Sequence, residues 1–473
     1  MKIAFFQREW FENIGIMTLA AVLQQAGHEV EIFIFSAEKF FWDSVKSYNP
    51  HLACFSCTTG EHLWALETAK RLKEQLPVFI LLGGHHPTFF PDIVNNPQVD
   101  AICRGEGEYA LLELAQALEQ KHSPQHIANL WIKDNGHLIK NDLRPLVENL
   151  DELPLPLRSI YDKYPGLQHK TTKHFMASRG CPCNCSFCYA QGLRALYRGK
   201  GSFVRYRSPN HVIDEIKYAQ KKYPLRTVYF EDDIFIFHKK WLFDLLDQYK
   251  KEIGLPFICN VWANGVTDEI CYHLKQAGCC RVSMGLETGN EKLRKDILLK
   301  NTSNEQIITA AKHIHNHGIA LLTNSMIGLP GETIEQAFET VKLNTLIKTD
   351  YPWCSIMQPY PETLIEKIAV DKGLLAKGHD TSFATSFFKS SPLSQKNMRQ
   401  LISLQKIFFL AVKFPGLEKL FRFLIKLPLT PLYDVIFLIT FAHRHRVSNK
   451  LTLKEMFIFC CHNFSLYKQS PPT

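Results

Sequence analysis

Cys181-Pro182-Cys183-Asn184-Cys185-Ser186-Phe187-Cys188 sets three of its thiols, Cys181, Cys185 and Cys188, at the spacing C-x3-C-x2-C. Four-iron clusters normally take four cysteine ligands, so three thiolates would hold such a cluster by three irons and leave the fourth iron open to an outside ligand. An open iron is a reactive one. A structural zinc is the alternative for four close cysteines, but zinc modules usually pair two C-x2-C knuckles well apart, and no second knuckle follows within 20 residues. Cys183 reads as an extra thiol in the loop, and spacing alone does not prove which thiols bind.

Outward from this loop the chain alternates between buried strands and apolar-periodic helices. Past the proline-rich stretch Leu153-Pro-Leu-Pro-Leu157, strands are expected at 173–178, 227–230, 257–261, 281–284, 320–327 and 353–357. Helices fit at 209–223, 239–251, 268–277, 304–316 and 332–347. Six strand and helix units predict an open, partial TIM-like barrel, smaller than the eight-unit form. Its first strand runs through Ser178-Arg179-Gly180 into the cysteine loop, which places the thiols at the carboxyl-end mouth where barrel enzymes work. After the second strand come Glu231-Asp232-Asp233, which can accept hydrogen bonds from an ammonium group or cap the next helix; Asp232 and Asp233 are not separable from sequence.

The first part alternates in the same way, with strands expected at 2–7, 29–35, 52–56, 78–82 and 101–103 and helices at 16–26, 37–47, 60–75 and 108–119. This pattern predicts a doubly wound parallel sheet covered on both faces, with ligands over the carboxyl ends of its strands. Small and polar residues collect at those ends: Ser56 and Thr58, then Gly83, Gly84 and His85, then Gly105, Glu106 and Gly107. Glycines there would let the backbone approach a large ligand.

The cysteine loop, with Phe187 before its last cysteine, resembles the cluster loop of the radical S-adenosylmethionine enzymes. That resemblance implies a 4Fe-4S cluster on Cys181, Cys185 and Cys188 whose open iron chelates the amino acid part of S-adenosylmethionine, which one electron then cleaves. It implies that Glu231, Asp232 and Asp233 receive the methionine amine. Gly285-Leu-Glu287-Thr-Gly289 resembles the family segment near the ribose and carboxylate, so Gly285 and Glu287 are expected to contact the same cofactor. Gly328-Leu-Pro-Gly-Glu-Thr333 and Pro359-Tyr-Pro-Glu-Thr363 also look like family segments, as does Arg205-Tyr-Arg-Ser208, whose arginines are read as structural.

Residues 1 to 145 are similar to the cobalamin-binding domain of one branch of this superfamily. The implied cobalamin contacts are Glu12, Gly15, Ser56, Thr58, Gly83, Gly84, His85, Gly105, Glu106 and Gly107. Domains that bind cobalt through histidine carry D-x-H-x-x-G after the first strand, whereas here Trp10-Phe-Glu12-Asn-Ile-Gly15 fills the slot with Glu12. The lower face of a bound cobalamin is therefore expected to lack a histidine from this loop; a domain that has lost the cofactor is the alternative. The expected organisation is α/β: 1–145 Rossmann-like, 146–170 linker, 171–375 partial barrel, and 376–473 mostly helical. The resemblance implies modification of an unactivated carbon, with C-methylation favoured and oxidative cyclisation or ring rearrangement as the alternative. Methylthio transfer to tRNA fits less well, because Cys54, Cys57 and Cys103 lack that branch's cluster pattern; a non-catalytic iron–sulfur or zinc protein is the remaining reading.

Apolar residues make up 46% and charged residues 21% of the 473, as in an ordinary globular protein. The start of the chain shows no charged n-region with a cleavage site, and fourteen cysteines suit a reducing compartment, so a cytoplasmic location is expected. The formal charge of +9 is all in the tail, where residues 391–473 hold twelve Lys and Arg against three acids. A neutral body speaks against nucleic acid as a partner. Basic and aromatic stretches such as 406–413 and 421–426 are what an interfacial helix needs on anionic lipid, while packing on the barrel would use them equally well. Val435 to Ala442 is too short to span a bilayer. The expected partners are an apolar or lipid-like small-molecule substrate, an electron donor such as flavodoxin or ferredoxin, and the inner face of the membrane through the tail.

Overall fold

A computed structural model describes residues 1–134, 136–376, 388–449 and 451–468, the last eight by backbone alone. The chain forms two compact units, one built from Met1–Lys170 and Leu193–Arg205, the other from Thr171–Gly192 and Tyr206–Phe459.

The first unit is built on β1 (Lys2–Gln7), β2 (Glu29–Ile34), β3 (Leu52–Ser56), β4 (Phe79–Gly83) and β5 (Ala101–Cys103), parallel neighbours in the order β2-β1-β3-β4-β5. Strands buried on both faces need near-continuous apolar runs, and Ile3-Ala-Phe-Phe6 is such a run. Ile3, Phe5, Leu52 and Leu81 face the helices Ile14–Gln25 and Glu108–Gln120, while Phe6, Phe33 and Phe55 form the opposite core. Phe6 stacks between Phe33 and Phe55, with ring centroids 5.7 and 5.1 Å away. The purely parallel sheet expected from the alternation is corrected: β6 (Leu130–Asp134) and β7 (His137–Lys140) add an antiparallel hairpin at the β5 edge. Residues 146–170 pack into this unit, where the buried Tyr161 donates to Gln7 Oε1 (2.8 Å) and Tyr164 to Glu38 Oε1 (2.5 Å).

The second unit begins with β8 (Thr172–Phe175) and the two-residue β9 (Ser178–Arg179); the two-residue β10 (Arg205–Tyr206) covers the last residue of the first unit's second segment and the residue at which the second unit resumes. β8 then joins β11 (Thr227–Phe230), β12 (Phe257–Val261), β13 (Cys279–Glu287), β14 (Ala320–Ile327) and β15 (Tyr351–Ile356) in one parallel sheet ordered β15-β14-β13-β12-β11-β8. Sequential parallel neighbours with helical crossovers make the open six-unit barrel. Ser303 and Thr333 each close a capping box at the start of a crossover helix, which fixes where those helices begin.

The C-terminal region is helical, with helices Met398–Lys413, Glu418–Leu424, Thr430–Ser448 and Leu453–Lys468. The interfacial expectation for 406–413 is corrected: Lys406, Ile407, Phe408, Ala411 and Val412 are buried, and the apolar ones join Ile327, Phe338 and Cys354 in one core. Lys406 carries its charge inward because Asp434 pairs with it. Among the described residues, no helix is long and apolar enough to cross a membrane.

Candidate functional site

The cysteine loop follows β9 and is tied down at one point. Ser186 is fully buried; its hydroxyl donates to Ile297 O (2.6 Å), its N–H to Leu298 O (3.0 Å), and its carbonyl accepts from Ile365 N (3.0 Å). Phe187 packs against the apolar cluster that contains Leu293, Ile297 and Leu329. With Ser186 and Phe187 turned into the core, the thiols are left on the open side: Cys181, Cys183 and Cys185 are half-buried and Cys188 is exposed. Cys183 hydrogen-bonds the thiols of both Cys181 and Cys185. Its hydrogen bond, followed by the positive charge of Lys300, holds Cys185 below the usual thiol range. Among the described residues no three His, Cys, Asp or Glu side chains converge as a single metal ion requires. A four-iron cluster spreads its ligands over separate irons, so this donor set fits a cluster better than a closed zinc centre.

The three acids after β11 are separated by strand alternation. Glu231 pairs with His174 Nδ1 at 2.5 Å. Asp232 points the other way, is 1% exposed, and accepts from Ala177 N (3.1 Å) and from the Ser178 hydroxyl. Burial pushes its carboxyl up to about 6 against those hydrogen bonds. Asp232 therefore anchors the entry to the cysteine loop. Asp233 is exposed, and its charge acts on Cys181 and Cys188. Of the three, Asp233 is the acid facing the thiols.

Glu287 closes β13 through a bulge, where the pairing with β14 shifts between Gly285 and Glu287. Bulges re-aim side chains, and this one leaves Glu287 at φ +65, a conformation that L residues rarely hold. Two cations that sequence reasoning missed hold it there. Lys300 Nζ donates to Gly285 O (2.6 Å) and Glu287 Oε1 (2.9 Å). Burial disfavours that ammonium, but Glu287 and then Cys185 outweigh it, and the Lys300 pKa moves up. Arg294, with no exposed surface, donates to the carbonyls flanking Glu287, those of Leu286 (3.3 Å) and Thr288, and to Thr302 O (2.8 Å) and Asn304 Oδ1 (2.7 Å). A Cβ at Gly285 would lie 2.3 Å from Glu287 Oε1 and 2.7 Å from Lys300 Nζ, so a side chain there would push this ion pair aside. No spacing rule picks out Arg294 or Lys300; their only signal is a pair of cations shortly after a strand-end acid. The other family-like arginines are structural, since Arg207 pairs with the buried Glu215 at 2.5 Å.

In the first unit the strand order puts the switch point between β1 and β3, where doubly wound sheets take their ligands. Glu12 is buried after β1, and Gly15 opens the following helix, whose N-cap Asn13 accepts from Ile16 N (3.2 Å). Ser56 and Thr58 stand exposed at the end of β3. Beside them His62 and His86 stack with centroids 3.7 Å apart, and Thr59 Oγ1 lies 3.1 Å from His86 Nδ1. Burial pushes both imidazoles down, to about 4 and about 3, so both are neutral at pH 7. His85, the expected contact, is exposed.

Two of the glycines have internal reasons. At Gly84, φ +94, a Cβ would meet Cys57 O at 2.9 Å, and at Gly105, φ +73, it would overlap Tyr197 Oη at 1.8 Å. Tyr197 Oη also accepts from Glu106 N (2.9 Å). The Glu106 carboxylate is gripped by Arg205 through bonds of 2.8 and 3.0 Å, so it serves the loop. At Gly83 a Cβ would make only ordinary contacts, and at Gly107 it would press on Leu19 at 3.3 Å. Exposed hydroxyls, neutral imidazoles and a small-residue rim at the switch point fit a large corrinoid ring.

Residues 176–343 match the radical SAM superfamily and residues 10–115 match the B12 binding domain. An uncharacterized methyltransferase of Pyrococcus horikoshii is 30% identical over 374 residues, which cover 76% of this chain and 79% of the relative. An anaerobic magnesium-protoporphyrin IX monomethyl ester cyclase of Rubrivivax gelatinosus is 25% identical over 396 residues, 80% of this chain and 70% of the relative. The solved structure of TsrM, a radical S-adenosylmethionine methyltransferase from Kitasatospora setae with cobalamin and a [4Fe-4S] cluster bound, superposes with a TM-score of 0.66 at 16% identity, covering 86% of this chain and 85% of the other.

Proposed function

The chain belongs to the radical S-adenosylmethionine superfamily, in the branch that carries a B12 binding domain, and on that footing we propose that it methylates an unactivated carbon of a small molecule. The observation that carries the reading is the convergence, within the second unit, of the cysteine loop, Asp233, Glu287 and Lys300. When bound, the cluster supplies the electron that cleaves S-adenosylmethionine, and cobalamin supplies a carrier for a methyl group.

The residues have separable tasks under this proposal. Cys181, Cys185 and Cys188 hold the cluster, with Cys185 the thiol most ready to ionise because Cys183 and Lys300 stabilise its anion. Asp233 accepts hydrogen bonds from the methionine ammonium, which leaves Glu231 to His174 and Asp232 to the loop entry. Glu287, fixed by Lys300 and Arg294, accepts from a ribose hydroxyl. In the first unit Ser56, Thr58 and the His62–His86 stack line the corrinoid site, while Gly84, Gly105 and Glu106 hold its loops in shape. The electron donor is a flavodoxin or ferredoxin. The substrate is apolar or lipid-like, in keeping with the basic, apolar tail, and the tail seats the enzyme at the inner face of the membrane.

The similarity to a ring-forming cyclase supports oxidative cyclisation as a second reading, and product analysis separates the two. Anaerobic reconstitution tests the proposal through bound iron, bound cobalamin, 5'-deoxyadenosine and S-adenosylhomocysteine. Wild type should bind both cofactors and, with substrate, release S-adenosylhomocysteine and a methylated product; Cys185→Ala should lose the cluster and S-adenosylmethionine cleavage. Deoxyadenosine production at wild-type rate in the variant would contradict the cluster assignment.

A further inference from the structure

Among the described residues, nineteen large hydrophobic side chains are exposed, and ten of them lie between Phe414 and Phe457. Single exposed apolar residues are ordinary on any protein, but concentration in one short segment marks a surface meant to be covered. Phe414, Leu417, Leu420 and Phe423 recur every third residue through a turn and a short helix, and Phe423 is 59% exposed. In the following helix Leu432, Val435 and Ile439 form a second stripe at helical spacing, with Ile439 64% exposed. The opposite face of that helix buries Tyr433 and Phe437, so apolar side chains cover most of its first half, whose one charge is the paired Asp434. A helix of that kind at a protein surface lacks a partner for one face.

The charges around the stripes name the partner. Lys419 is exposed on the helix that carries Leu420 and Phe423, Lys426 is exposed just past its end, and the exposed Arg399 reaches the Lys426 carbonyl at 3.3 Å. The two acids of the segment are already neutralised, Glu418 by Arg422 at 2.8 Å and Asp434 by Lys406. Apolar tips set among uncompensated cations match an anionic lipid leaflet, where the tips enter the acyl boundary and the lysines stay with the headgroups. Beside the first stripe lies a groove of about 520 Å³ walled by Phe338, Val341, Ala411, Pro415 and Phe421, with Lys342 and Glu418 also at its lining. A groove of that size adjoining the stripe, with apolar side chains along its wall, gives an acyl chain somewhere to go.

We propose that residues 414–439, with this groove, form a docking face for a bilayer containing anionic lipid. The inference deepens the membrane part of the functional reading and uses none of its radical chemistry. It also moves the contact from residues 406–413, which are core, to the segment that follows them.

Flotation of the full chain with vesicles of phosphatidylglycerol in phosphatidylcholine, against phosphatidylcholine alone, tests it. Wild type should float with the anionic vesicles and release as salt rises. Leu420→Glu with Phe423→Glu should cut the bound fraction at least tenfold, and Lys419→Glu with Lys426→Glu should remove the preference for anionic lipid, both with unchanged circular dichroism and melting temperature. Failure of wild type to float, or equal flotation of wild type and the Leu420/Phe423 variant, would overturn the proposal. Concentration-dependent dimerisation lost in the same variant, without vesicle binding, would overturn it in favour of a second copy. Iron content and S-adenosylmethionine cleavage judge the radical reading separately, so the two fail independently.

Discussion

Replacing Arg294 by Met removes a guanidinium with no exposed surface while keeping most of its stem volume. Three backbone carbonyls, of Leu286, Thr288 and Thr302, lose their charged donor, and all three residues are buried. Leu286 O keeps the Thr288 N–H at 2.9 Å, so two acceptors are orphaned; at about 1–3 kcal/mol each they cost roughly 4 kcal/mol. Removing a buried cation gives some of this back. Burial pulls the Arg294 pKa down to about 10, which corresponds to about 3 kcal/mol of relief. The net expectation is a loss of about 1 kcal/mol from the second unit. Glu287 loses the anchors on both sides of its left-handed turn, so it should relax toward ordinary backbone geometry. Urea unfolding of apoprotein measures the first effect, and amide exchange across residues 285–304 together with S-adenosylmethionine affinity measures the second. Arg294→Lys should fall between wild type and Arg294→Met, because an ammonium cannot span the four acceptors. An unchanged urea midpoint and exchange pattern in Arg294→Met would refute the clamp.

Other expected outcomes follow from the same geometry. Cys183→Ala should keep wild-type iron loading while Cys181→Ala, Cys185→Ala and Cys188→Ala lose it, as iron analysis and the visible spectrum would show. Gly105→Ala should lower the melting temperature of the first unit by several degrees, because the new methyl overlaps Tyr197 Oη and the backbone stays at φ +73; pairing it with Tyr197→Ala should recover part of the loss. Glu332 is buried and accepts from Gly328 N (2.6 Å) and Leu329 N (3.2 Å), yet burial pushes its carboxyl from 4.5 up to about 8. The folded state then holds a proton that the unfolded chain releases, so this contribution is full below about pH 4.5 and is lost as pH rises toward 8; Glu332→Gln should flatten that slope in urea titrations. The sign reverses in the first unit. His62 and His86 stay neutral while the unfolded chain takes up protons below 6.5, so stability should fall as pH drops from 6.5 toward 4, and His86→Phe should blunt the fall.

The hairpin β6–β7 shows one limit of periodicity used alone. Its signal was present as Asn135-Gly136 between Trp-Ile-Lys and Leu-Ile-Lys, and Gly136 does take φ +81, but a strand count built on long apolar runs passes over short edge strands with one exposed face. The tail shows another limit. Segments 406–413 and 421–426 look alike as strings of basic and apolar residues, yet the first buries Lys406, Ile407, Phe408, Ala411 and Val412 while the second buries only Phe421 and Ile425 and leaves Phe423 exposed, because burial depends on what the rest of the fold brings to each helix face.

The sequence by itself determined the cysteine loop, the strand-and-helix alternation on both sides of it, and the strand ends where ligands would gather. All of these are local: ligand spacing, a period of two or 3.6 residues, a glycine at a turn. Tertiary structure decided what those positions do. It gave Glu231 to His174, buried Asp232 under Ser178 and left Asp233 beside the thiols, from three adjacent acids that sequence could not tell apart. It showed that Gly84 and Gly105 admit the chain's own Cys57 and Tyr197, and that Arg294 and Lys300 hold Glu287 in a conformation it would otherwise leave. The physical reason is range: spacing and periodicity act along the chain, while ion pairs, carbonyl clamps and steric exclusion join residues that only folding brings within 3 Å.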